Sequence, residues 1–110
     1  MIKLFEEYNE YYREINYDEY VKYSNNILPF NKDEIERLKK VFDNYSSIFV
    51  YRFIYTNKSI IGFDIDMCFS SKFGYIYKLP DEWYFCYLDG KNYKCDQMEG
   101  LIKLIEDLYD

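Results

Sequence analysis

A chain of 110 residues, 49% hydrophobic and 23% aromatic, has enough apolar material for a packed core, which excludes wholesale disorder. Its formal net charge of -6 argues against ordinary binding to phosphate backbones or anionic membrane surfaces, because like charges repel. It has no histidine, so Ser-His and Cys-His nucleophilic schemes are excluded, as is any side chain with an unperturbed pKa near neutrality.

The first 46 residues read as helices. Leu4, Phe5, Tyr8, Tyr11, Tyr12 and Ile15 recur at three- and four-residue spacing, which predicts one helix with a single apolar stripe. Asn16 followed by Glu19 forms a capping-box pattern and predicts a second short helix over about 17–24, ended by Ser24-Asn25-Asn26. The third helix has the clearest start: Asn31 as N-cap, Glu34 as its box partner, and Phe30 with Ile35 as a staple. Ile35, Leu38, Val41 and Phe42 form its apolar stripe.

After Ser47 the period changes to two. Residues 46–55 are apolar on both faces, which predicts a central strand buried on two sides. The stretch 56–59 is a turn. Over 60–69, Ile61, Phe63, Ile65, Met67 and Phe69 alternate with Gly62, Asp64, Asp66 and Cys68, the pattern of a strand with one face buried and one in water. Residues 72–79 continue the meander until Pro80-Asp81 breaks it. Trp83–Leu88 and Lys91–Cys95 then flank Asp89-Gly90, a type I′ hairpin signal. Asp96 and Glu99 suggest a last capping box, before a helix carrying Met98, Leu101, Ile102, Ile105 and Leu108. Gly100 inside that helix costs about 1 kcal/mol against Ala, which a close helix-to-sheet approach would justify. The expected fold is a single α+β domain over 1–110: helices in 1–46, a five-stranded antiparallel meander in 47–95, and a C-terminal helix over 96–110 packed on the sheet.

Cys86 and Cys95 flank the Asp89-Gly90 turn and invite a redox or metal reading. A two-residue loop pairs Cys86 with Tyr93 and Tyr84 with Cys95, leaving the thiols diagonal and too offset for an unstrained bridge. A four-residue loop would set them opposite each other, and a three-residue loop would put them on opposite faces. Asp-Gly favours the first register, so the expectation is free thiols. With no CxxC and no histidine, neither a metal nor a cofactor is expected. Three cysteines, and no apolar leader in the first dozen residues, suggest a reducing, cytoplasmic setting. Asp64 and Asp66, about 7 Å apart on one strand face, have a spacing compatible with paired acids or a divalent cation, and a water-facing role suits them better. Only four glycines occur and no phosphate-cradling loop, so a nucleotide-using enzyme is not expected.

Charge is unevenly spread. Residues 1–46 hold ten acids against seven bases, 47–80 two against four, and 81–110 eight against three. Tyrosines crowd the acidic N-terminal part, and exposed Tyr beside carboxylate suits an interaction surface. The residues singled out for that role are Glu7, Glu10, Tyr11, Glu14, Tyr17, Asp18, Asp64, Asp66, Glu106 and Asp107. Sheet pairs such as Tyr75 with Tyr77, or Tyr51 with Tyr55, could stack nucleic-acid bases, but no basic groove accompanies them. In size, charge and helix–sheet–helix layout the chain resembles the small acidic inhibitors by which phages and plasmids block host enzymes, and toxin-neutralising immunity proteins. No motif carries that resemblance. It implies a non-enzymatic protein that occludes a basic surface on another protein, without direct nucleic-acid or membrane binding. The alternatives are a nucleic-acid or small-ligand binder using the aromatic sheet and, third, a carboxylate-based enzyme.

Overall fold

The computed structural model describes residues 11–68 and 72–109. In chain order these form β1 (Tyr12–Ile15), α1 (Tyr17–Tyr23), α2 (Lys32–Asn44), β2 (Phe49–Thr56), β3 (Ser59–Met67), β4 (Phe73–Leu79), β5 (Trp83–Leu88), β6 (Lys91–Asp96) and α3 (Gln97–Tyr109). The sheet has six antiparallel strands in the order β1-β6-β5-β4-β3-β2. The expected five-stranded meander is present as β2 to β6, and β1 adds a sixth strand beside β6. Helices α2 and α3 pack on one face, here called inner, and α1 lies on part of the other.

Two expectations about the strands are corrected first. The first helix was expected to run through Ile15, but Tyr12–Ile15 is a strand; most of that segment, residues 1–10, lies outside the described residues. A helical stripe would put Tyr12 and Ile15 on one side. The strand sends them to opposite faces, Tyr12 against the inner core and Ile15 into the outer cluster, while its backbone pairs with β6. The second correction concerns β2, which is an edge strand rather than a central one. Its two-sided apolarity arises because Phe49, Tyr51 and Phe53 pack inward while Val50 stays 54% exposed on the outer face.

Local signals fixed most of the rest. Asn31 accepts from the Glu34 N–H and Glu34 accepts from the Asn31 N–H, both at 2.8 Å, so the capping box of α2 is complete. Asn16 caps α1 by accepting from the Glu19 N–H, but the Glu19 carboxylate turns to Arg13 at 2.8 Å. The expected Asp96–Glu99 box is absent among the described residues. Instead Gln97 turns the corner in the left-handed region (φ 60), and Glu99 pairs with Arg37 of α2. The Asp89-Gly90 turn has φ 54 and 79, as a type I′ hairpin requires. In β3, Phe63 and Ile65 are buried and Asp64 and Asp66 face outward, as expected. Ile61 departs from the pattern. A register shift pairs Tyr55 with Ile60 and skips Ile61, so Ile60 takes the place against the core.

The inner core centres on Phe63, whose ring lies 5.3–5.8 Å from those of Phe30, Phe42, Tyr51 and Phe53. Leu101, Leu104 and Ile105 of α3 close it over Cys86 and Cys95. Gly100 has the reason foreseen for it. A Cβ there would stand 2.2 Å from the Tyr11 carbonyl oxygen, so only glycine lets the first turn of α3 approach the start of β1. No helix among the described residues is long and apolar enough to cross a membrane.

Candidate interaction face

The outer face divides into a covered part and an open part. Over β5, β6 and β1, helix α1 lays Tyr20 on Phe85 (4.8 Å between ring centres), and Ile15, Leu79 and Phe85 are buried beneath. Lys94 is folded in here too, with its ammonium 3.8 Å from the Trp83 ring and 4.6 Å from Tyr23. That contact is a cation–π clasp closing the end of the cluster.

Over β2, β3 and the Phe73 end of β4, no helix among the described residues covers the sheet. Antiparallel register puts side chains there in rows across the strands. One row is Val50, Asp66 and Phe73; the next is Arg52, Asp64, Tyr75 and Tyr87; the third is Ile54, Gly62, Tyr77 and Phe85. The Tyr77 ring lies over Gly62, where an added Cβ would meet it at 2.7 Å. Phe73, Tyr87, Tyr75 and Tyr77 make a continuous line of rings with successive centres 5.7, 5.5 and 5.4 Å apart, and the Tyr75–Tyr87 pair is stacked. Tyr20 and the 70% exposed Tyr17 extend the aromatic surface onto α1. Burial and then a hydrogen bond with Tyr20 push the Tyr75 phenol well above its ordinary value, and burial raises that of Tyr77. These phenols stay neutral near pH 7 and offer apolar area with a hydrogen-bonding tip.

The Arg52 guanidinium bridges the two aspartates at the border of this line, 3.2 Å from Asp64 and 3.1 Å from Asp66. A carboxylate pair occupied in this way is a surface ion-pair network, poorly arranged for acid–base work. Among the described residues, no group of three or more acids or cysteines is placed to hold a metal ion.

The hairpin thiols fall in the register expected for a two-residue loop, Cys86 opposite Tyr93 and Tyr84 opposite Cys95. They are free and 3.7 Å apart, closer than a flat diagonal suggests, because sheet twist shortens one diagonal. Burial, then the contact with Cys95, pushes the Cys86 thiol well above its ordinary value. A thiol held protonated inside a core is a poor nucleophile.

The acidic residues singled out from the sequence do not converge. Glu7 and Glu10 lie outside the described residues. Tyr11 is 50% exposed just before β1; Glu14 is exposed on β1, 3.8 Å from Lys91, and Asp18 is exposed on α1. Asp64 and Asp66 are on the open outer face, with three strands between them and β1. Glu106 is exposed on α3, whereas Asp107 accepts from the Tyr12 hydroxyl and pairs with Lys103, tying α3 to β1. Sequence reasoning missed Phe73, Tyr87 and Arg52 as members of this face. The period-two run Phe73, Tyr75, Tyr77 was the available signal.

Comparison with protein-family models, with curated proteins and with solved structures gave no match.

Proposed function

We propose that this protein is a non-enzymatic binding protein that covers a basic functional surface of another protein, docking through the open part of its outer sheet face. The observation that carries the reading is the line Phe73–Tyr87–Tyr75–Tyr77, half-buried at its tyrosines and exposed at Phe73, with Asp64 and Asp66 along its border. Aromatic rings and a central arginine are the residue types that dominate binding energy at protein interfaces, because they bring large area at low entropy cost. Two aspartates against one arginine leave this border acidic, in keeping with the net charge of -6. A basic partner is therefore attracted from a distance, and a phosphate backbone is repelled. The edge strand β2 adds backbone groups with no sheet partner among the described residues on their outer side, where a partner segment can align.

Affinity capture from extracts of the source cell, run in parallel with the unmodified protein and with Phe73→Ser and Asp66→Lys, tests this. The same polypeptide should be retained by the unmodified protein and fall by about tenfold or more with either variant. Its association should slow as salt rises to physiological strength, where charges beyond about 8 Å are screened. Equal retention by all three proteins would place the docking surface elsewhere. Oligonucleotide binding at micromolar concentration in physiological salt, tightened by Asp66→Lys, would make the ring line a base-stacking platform and end this reading.

A further inference from the structure

On the inner side, away from the open face, a cavity of about 450 Å³ lies between α2 and the β2–β3 hairpin. Its floor is apolar, made by Ile35, Phe53 and Ile60, and Lys32, Lys39 and Lys58 stand round it. The sequence explains the convergence. Lys32, Ile35 and Lys39 fall at i, i+3 and i+7 on α2, one helical face. Lys58 is the second residue of the β2–β3 turn, held at φ 70 after Asn57 at φ 48.

The partners of the other cations give the cluster its meaning. Arg13, Arg37, Arg52, Lys72, Lys78, Lys91 and Lys103 each pair with a carboxylate, and Lys22 and Lys94 lie over aromatic rings. Among the described residues, Lys32, Lys39, Lys40 and Lys58 have no such partner, and three of those four line this one cavity. Among the described residues Glu36 is the only acid in its lining, so three like charges are gathered in a protein whose net charge is negative. Unpaired ammonium groups around an apolar floor are complementary to a molecule with an acidic head and an apolar body. The volume is within the usual range of small-ligand pockets, about 300–1,000 Å³.

We infer that this cavity binds an amphipathic organic anion, with the acidic head among Lys32, Lys39 and Lys58 and the apolar body on Ile35, Phe53 and Ile60. Lysines are flexible point charges, so the site tolerates carboxylate, sulfate or phosphate heads. The body is either aromatic or acyl, and two probes distinguish these.

An amide NMR titration of the full chain tests the site with 1-naphthyl phosphate and, below its micellar concentration, decanoate. At least one probe should shift the Ile35, Phe53, Ser59 and Ile60 amides saturably, with a Kd of about 100 μM or lower. Preference for the naphthyl compound assigns an aromatic body, and preference for decanoate an acyl one. The neutral twin 1-naphthol and inorganic phosphate alone should each bind about tenfold more weakly or worse. The double variant Lys39→Gln, Lys58→Gln, exposed at both positions and therefore expected to fold, should weaken the favoured probe by about tenfold. If neither anion shifts those amides below about 1 mM, the inference is overturned. The same holds if the double variant binds equally well, or if the shifts map to Tyr75, Tyr77 and Tyr87.

Discussion

The two faces of the sheet use aromatic side chains to different ends. On the inner face, Phe63 is fully buried among four rings and sealed by two helices whose apolar stripes match it. On the outer face the rings are mostly tyrosines in a line, covered by the seven residues of α1 at one end and by none of the described residues at the other. Removing inner-face rings from water stabilises the fold. The open outer-face rings keep part of their area in contact with solvent, most of all the 54% exposed Phe73, so their association with a partner remains to be gained. If this division is right, substitutions on the inner face should cost stability and those on the open outer face should cost binding.

The largest expected effect is Phe63→Ala. It removes a ring at 0% exposure from the middle of four others, and these belong to α2, the residue before its cap and β2, which cannot all collapse inward. Denaturant unfolding should show a loss of about 3–5 kcal/mol. A loss below about 1 kcal/mol would mean that the inner core is loosely packed and the contrast is not real.

Glu34 gives the second effect. Burial raises its carboxyl pKa, but the Asn31 N–H, the Tyr84 hydroxyl and the Lys78 ammonium at 2.9 Å outweigh that and hold it below its ordinary value. One carboxylate thereby caps α2 and anchors it to β4 and β5. Glu34→Gln should cost about 1–3 kcal/mol, because it leaves a half-buried lysine without its counterion. A lowered folded-state pKa means that the contribution is present above the unfolded value near 4.5 and lost as pH falls through the folded one. The unmodified protein should therefore lose its advantage over the variant below about pH 4.5, measured as the gap between their melting temperatures. A constant gap from pH 7 to pH 3 would show that charge is not what holds this anchor.

What the sequence made legible, and what it hid, follows from sequence distance. The Asn31–Glu34 box, the Asp89-Gly90 turn and the alternation Phe63/Asp64/Ile65/Asp66 depend on residues within a few positions of one another, so propensity and period find them. The same Glu34 could not be foreseen as an anchor, because Lys78 and Tyr84 come 44 and 50 residues later. Strand β1 was hidden because its partner β6 lies about 80 residues on, and Tyr12 and Ile15 also satisfy a helical spacing. Edge or centre for β2 depends on strand order, which no local pattern encodes. The open aromatic face was half legible: period two groups Phe73, Tyr75 and Tyr77, but the rows that bring Tyr87, Asp64 and Arg52 to them exist only once register is known.

Gly100→Ala tests how tightly the inner helices hold the sheet. The substitution improves helix propensity by about 1 kcal/mol, and on that ground alone should stabilise. The new methyl meets the Tyr11 carbonyl, a backbone atom that cannot swing aside, and overpacking of this kind costs about 1–3 kcal/mol. A net loss of up to about 2 kcal/mol is expected, with faster amide exchange along β1. A net gain would show that β1 moves freely away from α3.

The smallest effect is the most informative about the outer face. Asp64 stands in the open row between Arg52 and Tyr75, and its ion pair is solvated, with the Arg52 side chain 70% exposed and that of Asp64 38%. Exposed pairs contribute about 0–1 kcal/mol, and asparagine keeps the size and an oxygen that can accept from the guanidinium. Asp64→Asn should therefore shift unfolding stability by no more than about 0.5 kcal/mol, with the Phe73–Tyr87–Tyr75–Tyr77 line undisturbed. On the reading proposed here the same change removes one of the two acids that attract a basic partner, so its association should slow while its unfolding midpoint stays put. A loss of about 2 kcal/mol or more would mean that the aspartates and Arg52 hold the strands together. The open face would then be a structural element in its own right, and the division of labour between the two sides of the sheet would fail at the place where it matters most for function.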